Sequence, residues 1–172
     1  MTIILNSDVI KQLIKDGTFK ILKKNQKVLG NCNYYFAPNM GISVYNPTIK
    51  FVDKKFLVFH FTKRDSLSLL LLLRHINDVL LNELRSKFSE TFDKTIYNFF
   101  SEDELSFTLR CYLPSNNGKY FVQVEDSETG SKIPFKLPRA NTTYNQSMME
   151  IRNVWKKNET YGFNLELKYI SL

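Results

Sequence analysis

Arg110 and Tyr112 alternate along Leu105-Ser106-Phe107-Thr108-Leu109-Arg110-Cys111-Tyr112-Leu113. A strand there turns both away from the face that holds Leu105, Phe107, Leu109, Cys111 and Leu113. A guanidinium beside an aromatic ring suits one task, gripping a phosphate while the ring stacks on a base. The turn Asn116-Asn117-Gly118 leads into Lys119-Tyr120-Phe121-Val122-Gln123-Val124. A hairpin through it would bring Lys119, Phe121 and Gln123 onto the Arg110 face. Further on, Ile151-Arg152-Asn153-Val154-Trp155-Lys156-Lys157 sets the single Trp among Arg152, Lys156 and Lys157, a second platform. As the lone Trp, Trp155 serves equally well as a core anchor. Tyr34, Tyr35 and Lys50 extend the groove. A plain β-core with lysines on its wet face explains part of this pattern.

Other chemistries find no residues to rest on. His60 and His75 stand on different elements with no ligand partner at i+4 spacing, so no metal site is expected. The six glycines are scattered at turns and form no phosphate loop. Neither cysteine lies in a motif that lowers its pKa, and no serine occupies a Gly-x-Ser-x-Gly elbow. Glu102, Asp103 and Glu104 read as a solvated charge run. The expectation is a binding protein, with no cofactor and no enzymatic activity.

At 172 residues, 43% hydrophobic and 24% charged, the chain has material for one globular domain. Its net charge of +7 favours a polyanionic partner and says nothing of the fold. The aromatic richness, 14 Phe and 9 Tyr, comes with many Asn and Lys, a bias that an AT-rich genome also produces. Cys32 and Cys111 do not make a disulfide framework, and Cys111 reads as a reduced core thiol. No segment approaches the ~20 apolar residues of a membrane span, and Met1-Thr2-Ile3-Ile4-Leu5 does not read as a signal peptide. The location expected is intracellular, with no membrane partner.

The elements that must hold these residues are mostly strands. Asn6-Ser7-Asp8 caps a short helix that ends at Gly17. Strands are expected at 19–22, 27–36, 42–45, 48–52 and 55–62. One long helix over 66–88 carries an apolar stripe of Leu69, Leu72, Leu73, Ile76, Leu80, Leu84 and Phe88. A helical turn within 92–100 precedes strands at 105–113 and 119–125. A short strand at 132–137, a polar loop at 138–147 and a closing pair at 148–156 and 161–170 complete the chain. The fold class is mainly β (α+β): an OB-like β-barrel with one long inserted helix and a short N-terminal helix. Residues 51–172 form its core and 1–50 an N-terminal elaboration.

The order of Phe56–Thr62, Ser66–Phe88, Phe107-Thr108-Leu109-Arg110 and Gly118-Lys119-Tyr120-Phe121-Val122 is distinctive. It ends in Ile151-x-x-Val154-Trp155 and Tyr161-Gly162-Phe163-x-Leu165-x-Leu167-x-x-Ile170. Over residues 50–172 this resembles the single-stranded DNA-binding proteins of large cytoplasmic DNA viruses, of the poxvirus and asfarvirus type. The resemblance implies an OB-fold that coats single strands during viral DNA replication in the host cytoplasm, with little sequence preference. It favours DNA over RNA and allows homo-oligomeric or cooperative assembly. Members commonly carry an acidic C-terminal tail; Lys168-Tyr169-Ile170-Ser171-Leu172 is not one, so recruitment by that route is not expected. The alternative is a viral structural or scaffold protein whose aromatic surface joins protein to protein.

Overall fold

The computed structural model describes residues 2–28, 30–88, 94–97 and 100–172. The chain opens with β1 (Thr2–Ile4) and α1 (Ser7–Lys15). Asn6 caps that helix, its Oδ1 accepting the N–H groups of Asp8 and Val9 at 3.0 and 2.9 Å. Then come β2 (Lys20–Asn25), β3 (Asn31–Ala37), β4 (Asn39–Tyr45), β5 (Thr48–Val52), β6 (Phe56–Thr62) and the long α2 (Leu67–Phe88). After α2 follow β7 (Lys94–Tyr97), β8 (Phe100–Glu102) and β9 (Ser106–Tyr112). Two small hairpins, β10 (Ser115–Asn116) with β11 (Lys119–Tyr120) and β12 (Gln123–Glu125) with β13 (Lys132–Ile133), lead on. The closing pair is β14 (Gln146–Lys157) and β15 (Thr160–Ser171). Among the described residues the chain is thus mainly β with two helices, as its alternation predicts. In 92–100, where a helical turn is expected, 94–97 and Phe100 are strand; the other positions lie outside the described residues.

The sheet runs β1-β4-β14-β15-β9-β6-β5, with β3 also on β14 and β2 beyond β3. Residues 31–45 therefore hold the outer edge of β14, through β4 at Gln146–Ile151 and β3 at Val154–Lys157. Along the other edge of β15 lie β7, β9 and β12 in turn, all parallel to it. Among the described residues β1 and β5 do not pair, so the expected OB-like barrel does not close. The reason lies at β5. Its outer backbone is taken by the polar loop: Ile49 N–H donates to Thr142 O at 2.9 Å and Asn141 N–H to Ile49 O at 2.7 Å. An edge already hydrogen-bonded to a loop has no groups left for a closing strand.

α2 lies against one sheet face, burying Leu70, Leu73, Ile76, Leu80, Leu81 and Leu84. Leu69 and Leu72, expected in the buried stripe, are only partly covered, so the helix is rolled slightly toward Leu70 and Leu81. That sheet face supplies Leu57, Phe59, Phe61, Phe107, Leu109 and Cys111, with Phe61 and Phe107 stacked at 5.1 Å. At the far end Phe88 tilts against Tyr34 at 5.1 Å. Both cysteines are buried free thiols, and burial pushes that of Cys111 far up. No helix among the described residues is long and apolar enough to cross a membrane.

Two turns are closed by carboxylates. Asp103 Oδ1 accepts the N–H groups of Leu105 and Ser106 at 3.0 and 2.7 Å, and Oδ2 accepts Ser106 Oγ at 2.8 Å. The Ser106 bonds first, then that of Leu105, hold its carboxyl below the ordinary 3.8. Asp126 accepts from Glu128 N and Thr129 N at 3.0 and 2.9 Å and is lowered chiefly by Thr129. A carboxyl depressed in the folded state stabilises fully above its ordinary value and loses that stabilisation as pH falls through the folded one. The thermal midpoint is therefore expected to drop on acidification below about pH 4. In an Asp103→Ala/Asp126→Ala double variant the acid drop should be shallower, read by calorimetry across a pH series; an equal drop would show that other carboxylates govern it.

Candidate nucleic-acid interface

The sheet face opposite α2 carries the polar halves of the strands. Register fixes who shares it: Phe51 opposes Val58, Val58 opposes Arg110, and Phe56 opposes Tyr112. Glu166 lies beside Tyr112, Asn153 opposes Asn164, Trp155 opposes Asn33, and Lys24 opposes Asn33 from β2. Cross-strand partners point to the same side, so one surface runs from Phe51 to Lys24 across the sheet.

At one end of that surface the rings and a cation form a stack. The Arg110 guanidinium carbon sits 4.0 Å from the Phe56 ring centroid and 5.6 Å from that of Tyr112. Phe51 continues the row, stacked on Phe56 at 5.8 Å. An arginine lying against two rings keeps its planar fork pre-organised. Phe51 is 53% and Tyr112 39% exposed, so aromatic surface stands in water here.

Beside this stack opens a cleft of about 440 Å³ whose walls include Arg110 and Tyr112 on one side and Trp155 and Lys157 on the other. Lys157 Nζ lies 5.8 Å from the Trp155 ring. Trp155 is laid flat by its partner across the hairpin: a Cβ at Gly162 would fall 2.4 Å from Trp155 Cζ2. Only glycine leaves room for the indole there. Asparagines link the two walls. Asn164 Nδ2 donates to Asn153 Oδ1, and Asn153 Nδ2 donates to Asn33 Oδ1, each at 3.0 Å.

The structure thus unites Arg110, Tyr112, Trp155 and Lys157 from the sequence-predicted set. Tyr35 alternates with Asn33 on β3, pairs Leu22 and joins the same face, whereas Tyr34 does not reach the groove, being buried on the covered side against Phe88. Lys119 and Phe121 do not arrive as expected. Asn117 and Gly118, at φ 50° and 78°, form a tight turn, but it closes only β10 onto β11. Pro114 ends β9's ladder, its carbonyl taking Phe121 N–H at 2.7 Å, and Gln123–Glu125 pair with β15 and β13. No register therefore joins Lys119 or Phe121 to Arg110. Lys156 alternates to the side opposite Trp155, beside Cys32. Arg152 is engaged: its Nη1 is 2.7 Å from Glu166 Oε2. Lys50 lies at the β5 bulge opposite β6, where its charge reaches Asp103. In the acidic loop Glu102 takes Arg74 through both oxygens, at 2.8 and 2.9 Å. No three His, Cys, Asp or Glu side chains among the described residues are placed to hold a metal ion.

Sequence reasoning missed Phe51, Phe56 and the asparagine chain. A signal existed for two of them: in Phe56-Leu57-Val58-Phe59-His60-Phe61 the alternation that buries Leu57, Phe59 and Phe61 turns Phe56 outward. Asn153 and Asn164 interrupt otherwise apolar strands, a pattern that calls for mutual hydrogen bonding. No family model matches the chain, and no curated protein matches it significantly. The indole's seat gives a direct test. Gly162→Ala is expected to lower stability by about 1–3 kcal/mol through overpacking. Emission from the single Trp should shift with it, and an unchanged melt and spectrum would place the ring elsewhere.

Proposed function

We propose that this protein binds single-stranded nucleic acid through the sheet face opposite α2. The observation that carries the reading is the Phe56–Arg110–Tyr112 stack on an exposed face, facing Trp155 and Lys157 across an open cleft. Bases stack on the rings while Arg110, Lys157, Lys24 and Lys20 contact phosphates, the last two placed on this face by register with Asn33 and Ala37. The net charge of +7 supports the same partner. The resemblance to viral single-strand-binding proteins supports DNA over RNA, coating of strands during viral replication in the host cytoplasm, and cooperative assembly. It also carries an OB-type ancestry, of which the open sheet would be a spread variant. Binding alone is the activity, with no cofactor.

Four phosphate contacts at about −0.7 each predict a log–log salt slope near −3 for single strands. Tyr112→Ala removes one stacking surface, worth roughly 1–3 kcal/mol. Phe121→Ala, off this face, should change affinity less than about twofold, well inside one stacking contact. Fluorescence anisotropy with labelled oligo-dT against salt measures all of these. Absent or salt-insensitive binding defeats the proposal, and a larger loss in Phe121→Ala than in Tyr112→Ala moves the platform to β11.

A second reading, assembly through apolar contacts, has one observation in its favour. Leu67 and Leu71, one helical turn apart, are each 53% exposed on α2. Nucleic-acid-free oligomers in sedimentation, abolished by Leu67→Glu/Leu71→Glu, would favour it.

A further inference from the structure

We infer that the cleft between the two aromatic walls takes one unstacked nucleobase and reads its hydrogen-bonding edge, giving the protein a base preference at a single position. This rests on the single-strand reading above and departs from the lack of preference expected there. Non-selective strand binding needs only rings and cations, because every base has a π-face and every phosphate a charge. The cleft holds more than that. Gln26, Asn33 and Asn164 line it together with Trp155 and Tyr112, so amides meet a space flanked by stacking surfaces. Amides distinguish bases, since each offers a donor and an acceptor side by side in one plane.

The amides are also coupled in direction. The chain runs one way, Asn164 Nδ2 to Asn153 Oδ1 and Asn153 Nδ2 to Asn33 Oδ1. Its first member therefore ends in a carbonyl oxygen, Asn164 Oδ1, and its last in an amide nitrogen, Asn33 Nδ2. Asn153 is buried in the middle of the sheet and couples both neighbours, so no single amide can flip without breaking a 3.0 Å bond and the three keep one shared direction. A floor that presents an acceptor near Arg110 and a donor near Trp155 is complementary to some base edges and not to others. The volume, about 440 Å³, lies within the range of small-ligand sites and accommodates a nucleobase. One base enters; its neighbours stay on the open face.

The test uses the whole chain and short oligonucleotides, dT with one central A, C, G or T, alongside the four mononucleotides, read by quenching of the single Trp. The expected result is one base favoured by about tenfold over the least favoured, at the low end of a bidentate base contact. In Asn164→Ala and in Asn33→Ala, affinity for the favoured base should fall to that of the others. Two variants at opposite ends of the chain guard against loss of folding in one, with melts recorded for both. Salt-dependent binding in which all four bases agree within twofold overturns this inference and leaves strand binding standing. A preference that survives in folded variants at both ends also overturns it. No binding to any oligonucleotide defeats the function proposed above instead.

Discussion

The pairing of β14 with β15 is the constraint on which the rest depends. Both strands are interior, so the hydrogen-bonding groups on their outer edges must find partners as well. β14 meets this by changing neighbours partway: Ile151 is its last pairing to β4, and Val154 its first to β3. The β14–β15 ladder slips between Ile151 and Asn153, where Arg152 is the extra residue. A bulge bends and twists its strand, which lets one strand serve two partners that diverge at the cis Ala37–Pro38 bond. The slip at Arg152 offsets an earlier one between Met148 and Met149, where Lys168 is the extra residue of β15, and so restores the register in which Asn153 opposes Asn164 and Trp155 opposes Gly162. Two offsetting irregularities thus accompany the change of neighbours and set the cleft residues opposite one another.

Charge divides the exposed face. Glu166 is 6% exposed, and a carboxylate so placed requires paired cations. Arg152 and Lys168 both reach it, Lys168 also lies 3.8 Å from Glu150, and Thr2 Oγ1 donates to Glu150 at 2.6 Å. Two acids and two bases cancel there, so the centre of the sheet offers a polyanion no net attraction. Positive potential is left to the flanks, to Arg110 on β9 and to Lys157, Lys24 and Lys20 beyond the hairpin turn. An anionic partner would therefore meet positive charge at the Trp155 end of the face, where the cleft lies, and none in excess at the end closed by β1.

Local alternation made the elements legible; the pairings were not. The period of two in Ser106–Tyr112 placed Phe107, Leu109 and Cys111 inside and Arg110 and Tyr112 outside, as the structure has them, whereas Leu105, expected on the covered face with them, precedes β9 and is exposed. The cap at Asn6 and the long apolar helix were legible for the same reason, since their determinants lie within a few residues. Closure of the sheet depends on which distant edge meets which, and the loop at Asn141–Thr142 occupies β5 through backbone atoms that carry no sequence signature. Lys119 and Phe121 misled because an Asn-Gly turn fixes its own two flanking pairs and no more; Pro114 decided how far the ladder ran. Arg152 misled differently. Its partner Glu166 stands 14 positions on, and only the register of the hairpin brings them together.

A sheet covered by a helix on one face normally keeps the other polar, because exposed aromatic surface lowers solubility and invites association. Here the uncovered face keeps Phe51, Phe56, Tyr112 and Trp155, in addition to the rings of Phe59, Phe61 and Phe107 buried on the covered side. Core packing does not require rings on the wet side. Threonine or lysine would serve the strands as well, as Thr108 and Lys157 already do. Nor does local stability explain them, since Arg110 is held between two rings that are themselves partly solvated. What rings with an interposed guanidinium offer and aliphatic or hydroxyl side chains do not is attraction to flat, electron-rich, anionic partners. The row of Phe51, Phe56, Arg110 and Tyr112 on the uncovered face is therefore the feature on which the binding proposal rests.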